Sequence, residues 1–279
     1  MNYCSIETMK RLMLWNVIGL SFVSYAQESI NERKSDASIL SIYHGLADIS
    51  PFATRLCDLP PARDQDGMPV VFSVQINSET ITSTAFAVGL SSGEIVTPLC
   101  ATLRPAVEPL EQRTVLLIGP FSPNDSVPVS VEIVEQLEDL NGGSLLGLKG
   151  ENVTSLVAGP SLVFAERFKP NNSALDGESP EKTEQALLLT WEGGVTGPNG
   201  ADLAEGQRTA VSVLLQDGTS VKPLSLADDD PGQTDNHIIA CVAQKSPALS
   251  VSVLSAYFHD PGDDPNPETR IDICLLYTS

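Results

Sequence analysis

The densest grouping of candidate ligands in the chain is Asp260-Pro261-Gly262-Asp263-Asp264-Pro265-Asn266-Pro267-Glu268. Asp260, Asp263, Asp264, Asn266 and Glu268 bring carboxylate and amide oxygens into one turn-rich stretch. Oxygens at that density suit Ca²⁺, which takes about six to eight of them in flexible geometry. The order departs from an EF-hand loop, with no Gly at the sixth position and no Glu at the twelfth. The expectation is a calcium-binding loop, and the alternative is a solvated turn that keeps a sheet edge from pairing. Asp228-Asp229-Asp230 with Asp235 and Asn236, and Asp64-Gln65-Asp66-Gly67, are weaker versions of the same pattern.

Other chemistries find less support. Gly89-Leu90-Ser91-Ser92-Gly93 matches the G-x-S-x-G nucleophile elbow, which needs a strand-to-helix turn beside an oxyanion hole. Here Glu94-Ile95-Val96 continues as a strand, so a hairpin is expected and no catalytic residue is assigned. The three histidines, His44, His237 and His259, show no H-x-x-x-H pair, and no Cys stands at zinc-ligand spacing. No Gly-rich loop precedes a helix, so no nucleotide cofactor is expected. Cys57 and Cys100 are the expected disulfide pair, and Cys241, in Ile238-Ile239-Ala240-Cys241-Val242, reads as a small buried hydrophobe. The sequon Asn152-Val153-Thr154 matters only in a glycosylating host.

The chain has 279 residues, 36 acidic against 16 basic, and a formal charge of −20. That balance excludes nucleic acid and anionic membrane as partners, since both need clustered Lys and Arg. From Met9 the sequence runs Lys10-Arg11, an apolar stretch from Leu12 to Val23, then Ser24-Tyr25-Ala26. This is the order of a secretory signal peptide cleaved after Ala26, and the apolar run is too short to span a membrane. A secreted or periplasmic location follows, without a transmembrane segment. At the other end, Cys274–Ser279 resembles translated sequencing-adapter read-through, which places the last native residue in view at Ile273.

Between those ends the apolar pattern has the two-residue period of strands. Short alternating runs at 70–76, 85–90, 94–99, 114–118, 127–134 and 161–164 form a first set. Runs at 186–191, 209–215, 219–224, 237–242, 249–258 and 269–273 form a second. Val88-Gly89-Leu90-Ser91-Ser92-Gly93-Glu94-Ile95-Val96-Thr97-Pro98-Leu99 and Val213-Leu214-Leu215-Gln216-Asp217-Gly218-Thr219-Ser220-Val221-Lys222-Pro223-Leu224 share V-x-L-x-x-G-x-x-V-x-P-L. Downstream and in the same order, Val115–Ile118 matches Ile238–Cys241, and Val129–Val131 matches Val251–Val253. The prediction is an all-β protein of two tandem β-sandwiches, at 60–168 and 185–273. Residues 169–184 are the expected linker, and 27–59 an N-terminal segment with room for a short helix.

Val71-Phe72-Ser73-Val74-Gln75-Ile76-Asn77-Ser78-Glu79-Thr80-Ile81-Thr82, then Ala85-Phe86-Ala87-Val88 and Ser92-Gly93-Glu94, resembles bacterial Ig-like domains of surface-layer type. The likeness covers about residues 70–99 and is weaker in the second half, which has Leu188-Leu189-Thr190-Trp191 at the opening. It implies Ig-like folds in a structural, adhesive or ligand-binding protein with no catalytic residues, whose partner would be a cell-surface polymer or envelope protein. The tryptophans are Trp15 and Trp191, a poor supply of sugar-stacking rings. The competing reading is a secreted carboxylate-dependent hydrolase of glycan type, which needs a cleft holding two carboxyl groups roughly 5 to 9 Å apart. Mass spectrometry of exported protein should find Gln27 as the first residue; intact Met1 or Met9 in the medium would contradict the signal peptide.

Overall fold

The computed structural model describes residues 34–155, 157–170, 180–227 and 236–273. The expected signal peptide, all of residues 228–235 and Cys274–Ser279 lie outside them. The described residues fall in a single compact unit that contains two sandwiches.

The first sandwich comprises β1 (Ile39–Tyr43), β2 (Asp66–Phe72), β3 (Phe86–Leu90), β4 (Ile95–Val96), β5 (Cys100–Thr102), β6 (Thr114–Gly119), β7 (Pro128–Ile133), β8 (Lys149–Gly150) and β9 (Val153–Thr154). They form two sheets, ordered β5-β6-β2-β1-β9 and β4-β3-β7-β8. All pairings are antiparallel except β1 with β9. The second sandwich comprises β10 (Leu162–Phe168), β11 (Gln185–Trp191), β12 (Val211–Leu215), β13 (Ser220–Val221), β14 (Ser225–Ala227), β15 (His237–Val242), β16 (Ala248–Val253) and β17 (Thr269–Asp272). Its sheets run β14-β15-β11-β10 and β13-β12-β16-β17. Taken in chain order, the eight strands of the second sandwich repeat the order of β1 to β8.

The duplication extends to irregularities. β1 on β2 is bulged between Ile39 and Ser41, and β10 on β11 between Leu162 and Phe164. β3 on β7 is bulged at Gly89/Leu90, and β12 on β16 at Leu214/Leu215. A bulge adds one residue to one strand and must be built at a chosen register, so four bulges at two equivalent places are strong support for a repeat. β3 and β12 also share their burial, inward residues alternating with half-exposed ones, as the pleat requires. Their hairpins turn on Gly93 (φ 86°) and Gly218 (φ 85°), a conformation that favours glycine.

Three expectations need correction. The sequence leaves room for a helix in residues 27–59; the described part carries β1 and a 3₁₀ turn, Pro51–Cys57, because Ile39, Ile42 and Tyr43 favour the extended chain. The stretch 169–184 does not join the sandwiches: β10 before it pairs with β11 after it, from Leu162↔Trp191 to Phe168↔Ala186. The crossover instead falls between β9 and β10. Finally, Val88 pairs with Val131 and Val213 with Val251, so Val131 corresponds to Val251 and not to Val253.

Each sandwich has its own apolar core. The first gathers Ile42, Val70, Phe72, Phe86, Val88, Leu117, Val131 and Ile133; the second gathers Leu187, Leu189, Trp191, Val211, Val213, Ile238, Val251 and Phe258. Trp191 and Phe258 meet with ring centroids 4.6 Å apart. Cys57 and Cys100 are disulfide-bonded, with Cα atoms 6.0 Å apart, and the bond ties the 3₁₀ turn to edge strand β5. Closing a loop of that length removes unfolded-state entropy worth about 2–4 kcal/mol. Cys57→Ser/Cys100→Ser should lower urea-denaturation stability by that amount; an unchanged midpoint would show that the turn holds without the bond.

Candidate functional site

Three polar assemblies sit among the described residues. The first is the acidic loop after β16. Asp260 is buried, its Oδ1 accepts the Asp264 N–H at 2.8 Å, and its Oδ2 lies 2.8 Å from the Tyr43 hydroxyl. Asp263 is exposed, accepts the Asn199 N–H at 2.7 Å and stands 2.9 Å from His259 Nδ1. Asn266 is buried, accepting from the N–H groups of Tyr257 and Phe258 and donating to the carbonyls of Leu254 and Pro267. Asp264 is half-buried and Glu268 exposed. Among the described residues no group of three or more His, Cys, Asp or Glu side chains is arranged to hold a metal ion.

The loop has a counterpart after β7. Asp139 Oδ1 accepts the Gly143 N–H at 2.9 Å, as Asp260 Oδ1 accepts that of Asp264. Backbone bonds Asp139 N–Gly143 O and Leu145 N–Leu137 O recur as Asp260 N–Asp264 O and Asn266 N–Phe258 O. Gly142 (φ 74°) and Asp263 (φ 66°) take the same left-handed position. A buried Asp therefore organises both turns by accepting main-chain donors. Sequence reasoning missed this, although Leu137-x-Asp139 and Phe258-x-Asp260 share one pattern, because the second stands one residue farther beyond Val251 than the first does beyond Val131.

The second assembly is His44, Asp66 and Ser122. Ser122 Oγ donates to Asp66 Oδ2 at 2.7 Å, and His44 Nε2 lies 3.3 Å from Ser122 Oγ and 3.6 Å from Asp66 Oδ2. Burial would raise the Asp66 carboxyl, but hydrogen bonds from His44, Ser122 and the Asp48 N–H hold it below the ordinary range. A hydrolytic triad places Ser on one ring nitrogen and Asp on the other. Here one nitrogen faces both, and the Ser proton is committed to Asp66. Ser91, the serine of the G-x-S-x-G stretch, sits in the β3–β4 turn with its Oγ accepting the Val127 N–H at 3.1 Å, and the strands on either side pair as the expected hairpin.

The third assembly is the layer between the sandwiches. Glu192 accepts from the Ser41 and Thr154 hydroxyls on Oε1 and from the Ser161 N–H on Oε2, each at 2.8 or 2.9 Å. Arg113, buried, forms an ion pair with buried Glu166 and lies over the Phe164 ring at 4.2 Å. Asn236 Nδ2 donates to Thr114 Oγ1 at 2.8 Å, and His237 Nδ1 lies 4.0 Å from Glu111 Oε2. Burial outweighs Arg113 in raising the Glu166 carboxyl. Burial first, and then Arg113, push His237 down to about 3.

No protein-family model and no curated protein matches the sequence. Among solved structures, a crystal structure of bovine butyrophilin aligns with 86% of this chain and 100% of its own at 10% identity, with a TM-score of 0.20. The fold rests on its own strand order: two antiparallel β-sandwiches.

The buried imidazole sets a pH dependence. With a folded value near 3 against an ordinary 6.5, the unfolded chain binds the extra proton between those limits. Stability therefore falls as pH drops from 6.5, by at most about 1.4 kcal/mol per unit from this group. Urea midpoints between pH 6.5 and 5 should fall in the wild type and flatten in His237→Gln. Parallel slopes in both proteins would assign the dependence elsewhere.

Proposed function

We propose that the protein is an exported, non-catalytic tandem of Ig-like β-sandwiches that acts as a stiff structural or adhesive module at a cell surface. The observation that carries this reading is where the buried polar groups have gone. Ser41, Arg113, Thr114, Glu166, Glu192, Asn236 and His237 are all buried, and their bonds fasten one sandwich to the other. Such a layer fixes an angle between modules, which suits a spacer or adhesin.

The surface-layer resemblance at residues 70–99 supports the same reading. Phe72, Ile76, Phe86 and Val88 of that stretch are core residues, as a fold-specifying motif requires. Among the described residues no helix is long and apolar enough to cross a membrane. The proposed partner is a cell-surface polymer or an envelope protein. Calcium belongs to the reading as an added stabiliser, drawing on Asp263, Asp264 and Glu268 beside the turn that Asp260 already organises. A Ca²⁺-dependent rise in melting temperature beyond matched NaCl, lost in Asp263→Ala/Asp264→Ala, is the measurement for it.

Purified mature protein should bind isolated cell-envelope material saturably and release no product from it. Turnover of glycoside or ester substrates that disappears in Ser122→Ala would overturn the reading in favour of a hydrolase built on His44, Asp66 and Ser122.

A further inference from the structure

The two Asp-centred loops differ in one donor. In the first sandwich Asp139 Oδ2 receives the hydroxyl of Ser35 at 2.5 Å. Ser35 lies four residues ahead of Ile39, which pairs with Phe72. The residue four ahead of Leu162, which pairs with Trp191 in the same way, is Ala158. Ala158 has no hydroxyl to give. The phenol of Tyr43 stands there instead, 2.8 Å from Asp260 Oδ2 and 2.9 Å from the Ala158 carbonyl. Tyr43 is the last residue of β1 and so belongs to the first sandwich.

The seat for that ring is built on both sides. A Cβ on Gly45 would come within 2.1 Å of the Tyr43 ring, and one on Gly193 within 2.6 Å. Neither position tolerates a side chain while the ring is in place. Burial, then the hydrogen bond to Asp260, raises the phenol above its ordinary range, so it stays protonated as a donor.

We propose that the hydroxyl lock of the acidic loop has been exchanged across the joint, so that the second sandwich relies on the first to close its own loop. The dependence runs one way. Asp139 is served by Ser35 from its own sandwich and has no call on a neighbour's tyrosine. At the place of Tyr43 the second sandwich carries Glu166, which is already engaged with Arg113. The pair is thus an obligate, directional unit and not two independent beads. The joint is closed in this way whatever the protein binds.

The test uses the full mature chain. Trp191 is the one tryptophan beyond the signal peptide and lies in the second core, so its fluorescence reports that sandwich. Tyr43→Phe should lower the fluorescence-detected melting temperature by about 5–10 °C. Amide exchange at Asp264 should quicken while exchange at Gly143, in the loop served by Ser35, stays unchanged. Adding Ala158→Ser to Tyr43→Phe should restore both readings by returning the donor to its own sandwich. The proposal is overturned if Tyr43→Phe leaves the Asp264 amide as protected as before, if both amides lose protection equally, or if Ala158→Ser gives no recovery.

Discussion

A β-sheet has two faces, and in this protein the sheet around β2 in the first sandwich and the sheet around β11 and β15 in the second are closed on both. Every residue of β2, β11 and β15 is buried, although only alternate residues can point into the sandwich core. Val71 and Ile118 in the first sandwich, and Ala186, Leu188, Ile239 and Cys241 in the second, face the other way. Apolar burial is worth about 25 cal/mol per Å², so a face of this kind needs a cover. The first sandwich supplies its own: residues 44–65 fold back, Leu46 bridges to Gly67, and the Cys57–Cys100 bond fastens the turn. The second takes part of its cover from Leu110 of the first sandwich. The joint exists because that face is shared.

A shared face that carries Thr190, His237 and Glu166 cannot be closed by apolar groups alone. Buried polar atoms need partners, and a buried charge needs an opposite one. Arg113 answers Glu166, and Asn236 reaches from the Trp191 carbonyl to Thr114 across the boundary. Desolvating such an ion pair offsets most of its attraction. Its effect is therefore greater on specificity: any other angle between the sandwiches would strand Arg113 or Glu166 in a dry environment without its partner.

The strands were legible because their signal is local. Alternation marks β3 and β12, a short unbroken apolar run marks β15, and the hairpin glycines Gly93 and Gly218 declare their turns. β1, β5 and β14 were missed because Ile-Leu-Ser-Ile-Tyr and two three-residue edges are too short to alternate clearly. The misplaced match of Val131 has the same root. Sliding a strand by two residues keeps every side chain on its face, so hydrophobicity cannot distinguish Val251 from Val253, whereas pairing to Val213 can. The candidate site was less legible for a different reason. A count of carboxylates reveals charge, but whether Asp260 faces an ion or its own backbone depends on the Asp264 amide and the Tyr43 hydroxyl. Tyr43 lies more than two hundred residues away in sequence.

If the two sandwiches descend from one whose loop carried a serine at the place of Ser35, the exchange of hydroxyl donors can have proceeded in only one order without leaving a buried acceptor short. Losing the serine at position 158 first would strip Asp260 Oδ2 of its donor at a cost of about 1–3 kcal/mol, a large part of a small domain's stability. Gaining Tyr43 first leaves the carboxylate oxygen, which has two lone pairs, with two donors in place of one. From that state the serine becomes dispensable, and its loss to Ala158 is nearly free. The same step makes the partnership hard to reverse, because Tyr43 can no longer be given up while position 158 lacks a hydroxyl. Gly45 and Gly193 deepen the commitment, since each is held to glycine by the ring it adjoins. A contact that began as redundant would thus become one of the ties that hold the two modules as one body.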